Sequence, residues 1–306
     1  MTAPTSRQTS GSLRVDGATL HYDVRGRGPL LLLIPGGSGG AASFVGVADD
    51  LAAEYTVATY DPRGMSRSTL DDPEAEQSVA EHADDALRIL DLLSPEEPAL
   101  VFGSSSGAIA AVHLLATRPE RVRRLVAHEP PLVEVLPDAP VHRALLVRVQ
   151  ETLRTRGLMP AMAEFAAGLR KEDGEDTPPT PAPTPAPTPA PTPTPQAEVE
   201  LPPGAAARAE RTMANLPYFV GRIVPAFMGH APDVDRLAEV SDRLVLAGGQ
   251  DSRGELPYRP AALLAERLGK NLLHFPGGHT GLTTHPGEFA DTLRKALRGQ
   301  LPTTPA

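Results

Sequence analysis

The chain has 306 residues, enough for one large domain or a domain with an insertion, and its 41% of hydrophobic residues suffices for a core. Its 29 basic residues against 38 acidic ones give a net charge of −9, which argues against a nucleic acid or anionic lipid partner. The absence of cysteine excludes disulfides, a thiolate nucleophile and cysteine metal sites. No secretory signal and no membrane-spanning stretch is evident, so we expect a cytoplasmic protein with a small-molecule partner; the oligomeric state stays open.

Residues 1–130 alternate between strand and helix signals joined by short turns, the pattern of an α/β sheet. The clearest helix is predicted at 78–93, where apolar residues recur on one face and acidic residues lie opposite. The predicted strands are 13–15, 19–24, 30–34, 56–60, 99–102 and 124–128. The run at 30–34 is continuously apolar, as expected of a central parallel strand covered on both faces.

From 131 to 240 the alternation gives way to apolar stripes at helical spacing, which predicts a helical cap inserted into the sheet domain. One stripe contains Phe219, Val220, Ile223 and Phe227, which are either part of the core of the cap or the wall of a substrate pocket. Strands resume at 244–247 and 271–275, and a final amphipathic helix follows Pro286. The second part of the sheet domain is therefore predicted at 241–306.

Within the predicted cap, residues 180–195 contain three copies of Thr-Pro-Ala-Pro followed by Thr-Pro-Thr-Pro. Proline at every second position removes every other amide donor and favours an extended polyproline II conformation. We expect a disordered linker at 171–203. A repeat expansion without a role is favoured over a partner-binding Pro-X-X-Pro segment or a substrate tether.

The run from Ala99 to Ala111 predicts an apolar strand that turns sharply into a helix, with Gly103-Ser-Ser-Ser-Gly107 at the turn. This is the Gly-X-Ser-X-Gly pattern, in which small neighbours allow Ser105 to stand exposed at the carboxyl end of a sheet. A flexible linker would have polar flanks, and a phosphate-binding loop would have a following lysine. Ser105 is therefore predicted to be a nucleophile.

A serine hydroxyl needs a base within hydrogen-bond reach and a third group that orients this base. His279 lies in the loop after the predicted strand 271–275, and Asp251 lies beyond strand 244–247. Glu129 follows strand 124–128 and is the alternative acid. All these loops are expected at the sheet edge that carries Ser105. We do not expect a metal site, because His279 and its neighbouring histidines lack metal-ligand spacing.

The serine, aspartate and histidine in this order resemble the catalytic residues of the α/β-hydrolase superfamily. The loops Pro35-Gly-Gly-Ser-Gly-Gly40 and Tyr60-Asp-Pro-Arg-Gly-Met-Ser-Arg-Ser68 also resemble those of the family, and only the proline repeat falls outside the resemblance. It implies an α/β fold with a mostly parallel central sheet flanked by helices, and no cofactor. It also implies a Ser105, Asp251 and His279 triad, with Asp251 favoured because its loop is similar to the usual loop of the family.

The resemblance further implies an oxyanion hole formed by the backbone amides of Gly37 and Ser106. Pro35-Gly36 stands where the family usually has His-Gly, which leaves Gly36 as an alternative to Gly37. The expected activity is hydrolysis of a carboxylic ester or lactone of a small apolar molecule through an acyl-enzyme. The alternatives are a cofactor-free, haloperoxidase-like perhydrolase, an amidase or aminopeptidase, or a slow-turnover ligand-binding protein on the same fold. An interaction protein that acts through its proline repeat is a further alternative.

Overall fold

The computed structural model describes residues 8–170 and 205–300. The proline repeat and the predicted linker at 171–203 lie outside the described residues. None of the described helices is both long and apolar enough to cross a membrane.

Nine strands form one sheet within the described residues, in the order β1-β2-β4-β3-β6-β7-β8-β9, with β5 paired to β2. They are β1 (Thr9–Val15), β2 (Ala18–Gly26), β3 (Leu30–Ile34), β4 (Thr56–Tyr60), β5 (Thr69–Leu70), β6 (Ala99–Ser104), β7 (Val122–His128), β8 (Leu244–Gly249) and β9 (Leu273–Phe275). The pairs that involve β1, β2 and β5 are antiparallel, whereas all pairs from β4 to β9 are parallel. The predicted α/β fold with a mostly parallel sheet is confirmed.

Helices cover both faces of this sheet because its central strands are apolar on both sides. All five residues of β3 are buried: Leu32 and Ile34 belong to one core cluster, and Leu31 and Leu33 belong to the other. This division follows from the alternation of side chains along a strand. The flanking helices are α1 (Val45–Leu51), α2 (Val79–Leu93), α3 (Ser106–Thr117), α9 (Tyr258–Arg267), α10 (Gly281–Thr284) and α11 (Pro286–Leu297).

Between β7 and β8, the regular elements of the described residues are all helices. They include α4 (Ala139–Arg156), α5 (Leu158–Leu169), α6 (Ala205–Tyr218), a π-helical segment (Phe219–Ile223), α7 (Val224–Met228) and α8 (Val234–Glu239). These helices, called the cap below, contribute most of a third apolar cluster, which includes Leu145, Val149, Phe165 and Val220. Met213 of α6 lies outside this cluster and is 56% exposed.

The sheet order determines which loops meet. Strands β3, β6, β7, β8 and β9 run parallel and are neighbours, so their carboxyl ends lie along one edge of the sheet. The loops that follow these five strands carry the predicted functional residues, and this edge is where open α/β sheets bind ligands.

Candidate active site

Ser105 occupies the turn between β6 and α3, with a backbone φ of 52° in the left-handed region. Its amide donates a hydrogen bond to the carbonyl oxygen of His128 (2.9 Å), which ties the turn to the neighbouring strand. A Cβ atom at Gly103 would lie 2.7 Å from the Ala108 Cα, and one at Gly107 would lie 2.4 Å from two backbone carbonyl oxygens. Both glycines are required because strand and helix pack against each other at this strained turn.

His279 lies in the loop after β9 and contacts the side chains of two other residues at the sheet edge. Its Nε2 atom is 3.1 Å from Ser105 Oγ, and its Nδ1 atom is 2.6 Å from Glu129 Oε2. A carboxylate can only accept, so Nδ1 carries the proton in the neutral imidazole and Nε2 is left to accept from the serine hydroxyl. This tautomer is the one that a general base requires.

Glu129 follows the last residue of β7 and is completely buried, with a backbone φ of 47°. Its Oε1 atom accepts a hydrogen bond from the Gly249 amide (2.7 Å) and a second, short one from the Ser252 hydroxyl. Burial alone would raise the pKa of Glu129, but the hydrogen bond from His279, the neighbouring imidazoles and the Ser252 hydroxyl together lower it. Glu129 is therefore a buried, fully hydrogen-bonded carboxylate that faces the imidazole.

The structure does not bring Asp251, the predicted orienting acid, into contact with His279; the imidazole contacts Glu129 instead. The strand β8 continues to Gly249, and the loop beyond it then follows the chain after β9, with the Asp251 amide donating to the Gly277 carbonyl oxygen (3.1 Å). This path leaves the Asp251 side chain exposed, while the Nδ1 atom of His279 faces Glu129. The alternative acid thus occupies the position that Asp251 was expected to take.

Residue spacing could not separate the two acids, because each follows the carboxyl end of one of two neighbouring strands. The sequence reasoning also missed Ser252, whose hydroxyl supports Glu129. Nothing in the local sequence distinguishes this serine from an ordinary loop residue. The contact joins positions 123 residues apart in the chain.

The loop after β3 passes directly beside Ser105. A Cβ atom at Gly36 would lie 2.1 Å from the Ser104 carbonyl oxygen and 2.7 Å from Ser105 Cβ, so only glycine fits there. Gly37 has a φ of 62°, and its amide donates a hydrogen bond to the side-chain Oγ of Ser106 (3.0 Å). The two residues predicted for the oxyanion hole are therefore in contact with each other beside the serine.

A cavity of about 210 Å³ opens onto Ser105 and His279. Gly37, Ser38 and Ser106 also border it, and the cap provides much of its remaining wall. The wall residues from the cap include Met162, Phe165, Leu216, Phe219, Ile223 and Phe227. Among the residues that the structure describes, these walls contain no Asp, Glu, Lys or Arg side chain. Val220, from the same predicted stripe, instead packs in the apolar cluster of the cap.

Comparisons with known proteins show the family of this chain. The family model for the alpha/beta hydrolase fold matches residues 29–163. The uncharacterized hydrolase YraK of Bacillus subtilis is 34% identical over 292 residues, which cover 94% of this chain and 96% of YraK. The chain belongs to the α/β-hydrolase family. It is accordingly a hydrolase.

Two further matches have more specific names. A zearalenone hydrolase of Bionectria ochroleuca is 37% identical over 119 residues, which cover 38% of this chain and 45% of that enzyme. The crystal structure of the enol-lactonase from Burkholderia xenovorans superposes with a TM-score of 0.65 at 16% identity, covering 94% of this chain and all of that one (100%). The second match shows the likeness of fold alone.

Proposed function

We propose that this α/β-hydrolase cleaves carboxylic esters or lactones of small, uncharged, apolar molecules through an acyl-enzyme on Ser105. The observation that carries the proposal is the continuous hydrogen-bond chain from Ser105 through His279 to Glu129, at the mouth of an apolar cavity. Nucleophile, base and orienting acid at these distances are the arrangement that activates a serine.

In the proposed reaction, Ser105 Oγ attacks the carbonyl carbon while His279 Nε2 accepts the hydroxyl proton. The buried carboxylate of Glu129 stabilises the imidazolium that forms and holds the ring in its orientation. The imidazolium then protonates the leaving alcohol oxygen as the carbon–oxygen bond breaks. A water molecule, deprotonated by the same nitrogen, then attacks the acyl carbon. The bond to Ser105 Oγ breaks, the imidazolium returns the proton to Oγ, and the acid is released.

The negative charge on the carbonyl oxygen would be stabilised by the backbone amides of Gly37 and Ser106. Ser106 is the first residue of α3, where an amide has no acceptor within the helix. The Gly37 amide donates to Ser106 Oγ in the free enzyme, so the oxyanion must share or replace that hydroxyl as the acceptor. Each such donor is worth roughly 10²- to 10³-fold in rate.

The size and the apolar wall of the cavity favour a substrate whose acyl group is uncharged and of moderate size. A cavity of about 150 Å³ holds benzene, so one of this size holds roughly eight carbon atoms. A charged group would lose its hydration against the apolar wall without gaining a partner. The zearalenone hydrolase among the matched proteins is in keeping with this substrate class.

The test is a panel of p-nitrophenyl esters and lactones of graded chain length, assayed on the wild type and on Ser105→Ala. We expect hydrolysis by the wild type and a loss of roughly 10⁴- to 10⁶-fold in kcat for Ser105→Ala, because the nucleophile is removed. Ser104→Ala, which deletes the hydroxyl one position earlier, is the matched control and should retain activity.

A fluorophosphonate probe should label the wild type and Ser104→Ala but not Ser105→Ala. Ester hydrolysis that survives in Ser105→Ala would overturn the mechanism. A wild type that neither turns over any ester nor reacts with the probe would favour a ligand-binding protein on this fold. Formation of peracetic acid from acetate and hydrogen peroxide, faster than any ester hydrolysis, would favour the perhydrolase alternative.

A further inference from the structure

Asn215 is a buried side chain of the cap that contacts two loops of the sheet domain. It lies on α6, is only 5% exposed, and precedes Leu216, a residue of the cavity wall. Its Nδ2 atom donates to the Ser38 carbonyl oxygen (2.8 Å) and to Ser66 Oγ (3.0 Å), and its Oδ1 atom accepts from the Ser66 amide (2.8 Å). One carboxamide therefore joins the loop after β3 to the loop after β4.

The loop after β3 is held in place by a few hydrogen bonds, one of which joins the Gly37 amide to Ser106 Oγ (3.0 Å). Residues 36–40, called the glycine loop below, consist of four glycines and Ser38, so the loop has little intrinsic stiffness. Within the loop, the Gly39 amide donates to the Gly36 carbonyl oxygen (3.2 Å). At its far end, Asp61 accepts from the Ala41 amide (2.8 Å). The bond from Asn215 to Ser38 holds the loop between these points, one residue after the Gly37 amide.

The second loop is strained where Asn215 holds it. Ser66 has a φ of 52°, in the left-handed region that a residue with a Cβ atom rarely adopts. Asn215 accepts from the amide of this serine and donates to its hydroxyl oxygen. The contact between cap and sheet domain is therefore directional and specific, in contrast to the apolar packing around it.

We propose that Asn215 is a positioning residue that orients the glycine loop, so that the Gly37 amide points at the oxyanion only while α6 is seated on the sheet domain. The inference rests on the proposed function. It gives α6 two roles: the helix supplies Leu216 to the cavity wall, and through Asn215 it supports the oxyanion hole.

The test is Asn215→Asp, which preserves size and the acceptor for the Ser66 amide but places an oxygen against the Ser38 carbonyl. We expect kcat to fall roughly 10- to 100-fold with KM within about threefold, since a misdirected amide loses part of the worth of one oxyanion donor. The matched control is Gln150→Glu, the same exchange at a cap amide that donates to the Val220 carbonyl oxygen (2.7 Å) and touches neither loop. This control should keep kcat within about threefold.

Two inhibitors distinguish a misplaced Gly37 amide from general damage to the cavity. Ser105 Oγ adds to an alkyl trifluoromethyl ketone with transfer of its proton to His279, and the carbonyl π electrons become an oxyanion. The corresponding alkyl alcohol occupies the cavity without forming one. In Asn215→Asp, affinity for the ketone should fall in parallel with kcat, while affinity for the alcohol should stay within about threefold.

Asn215→Ala, which introduces no charge, is the second variant and should give the same pattern if Asn215→Asp fails to fold. The inference is overturned if the folded variants keep wild-type kcat, or if both inhibitors weaken equally. Failure of the proposed function is distinguishable, because then the wild type itself would neither hydrolyse esters nor bind the ketone.

Discussion

At the scale of single residues, Glu129 is held as an anion by donors on several sides. It accepts from the Gly249 amide, the Ser252 hydroxyl and His279, and the hydrogen bonds from His279 and Ser252 help to hold its pKa below the ordinary value. A carboxylate with these partners has a single orientation. The imidazole it contacts is therefore fixed relative to Ser105 before any substrate binds.

Replacement of each candidate acid by its amide tests directly which of the two orients His279. Glu129→Gln should lower kcat roughly 10²- to 10⁴-fold, because an amide cannot stabilise the imidazolium and can impose the wrong tautomer. Asp251→Asn makes the same chemical change at an exposed position and should leave kcat within about twofold. Steady-state kinetics on one ester decides between them, and the opposite ranking would restore Asp251 as the acid.

At the scale of elements, the π-helical segment explains the shape of the cavity wall. Pro217 lies in α6 and Pro225 in α7, and each lacks the amide that would bond to the preceding turn. The wider turn between them directs Phe219 and Ile223 to the cavity and buries Val220 in the apolar cluster of the cap. A stripe predicted at regular helical spacing is thus divided between two environments.

Truncation of the wall should change the chain-length preference of the enzyme. Phe219→Ala removes a ring that borders the cavity and contacts Phe165 edge-on, so the optimum should move toward longer acyl chains. Met213→Ala, on the exposed face of α6, is the control and should leave the profile unchanged. Values of kcat/KM across esters of graded length measure the shift, and an identical optimum in both variants would argue against this wall.

At the scale of the whole molecule, two buried neutral histidines link folding to pH. Burial lowers the pKa of His82 to about 3 and that of His128 to about 4. His82 contacts Gln77 and packs edge-on against Phe227, while His128 packs in the core near the aromatic rings of β9 and α11. Unfolding exposes both rings, which then titrate near their ordinary value of about 6.5.

Stability should therefore decrease as the pH falls from about 6.5 toward 4. Between these values the unfolded chain binds more protons than the folded one. Each histidine therefore lowers the unfolding free energy by roughly 2 kcal/mol as the pH falls from 7 to 5. Urea denaturation at the two pH values measures the loss. In His128→Leu, the decrease in unfolding free energy between the two pH values should be only the part that His82 contributes. A decrease as large as that of the wild type would show that His128 does not contribute.

Much of the candidate site could be predicted from the sequence because it depends on local patterns. The glycines at 103 and 107 predict the turn that carries Ser105, and a strand followed by a short glycine loop predicts the place of His279. The same pattern could not choose between Glu129 and Asp251. The two follow adjacent strands, and only the direction of the loop after β8 removes Asp251 from the imidazole.

The order of strands and helices, the mostly parallel sheet and the edge at which the functional loops meet can be read from the amino-acid sequence, because periodicity, glycines and chain order encode these features locally. Three features depend on the folded structure: which carboxylate faces His279, which cap side chains border the cavity and which side chain holds the glycine loop. The contact between Glu129 and His279 spans 150 residues, and that between Asn215 and Ser38 spans 177. Such contacts depend on how distant segments pack and where their side chains point, which no local pattern records.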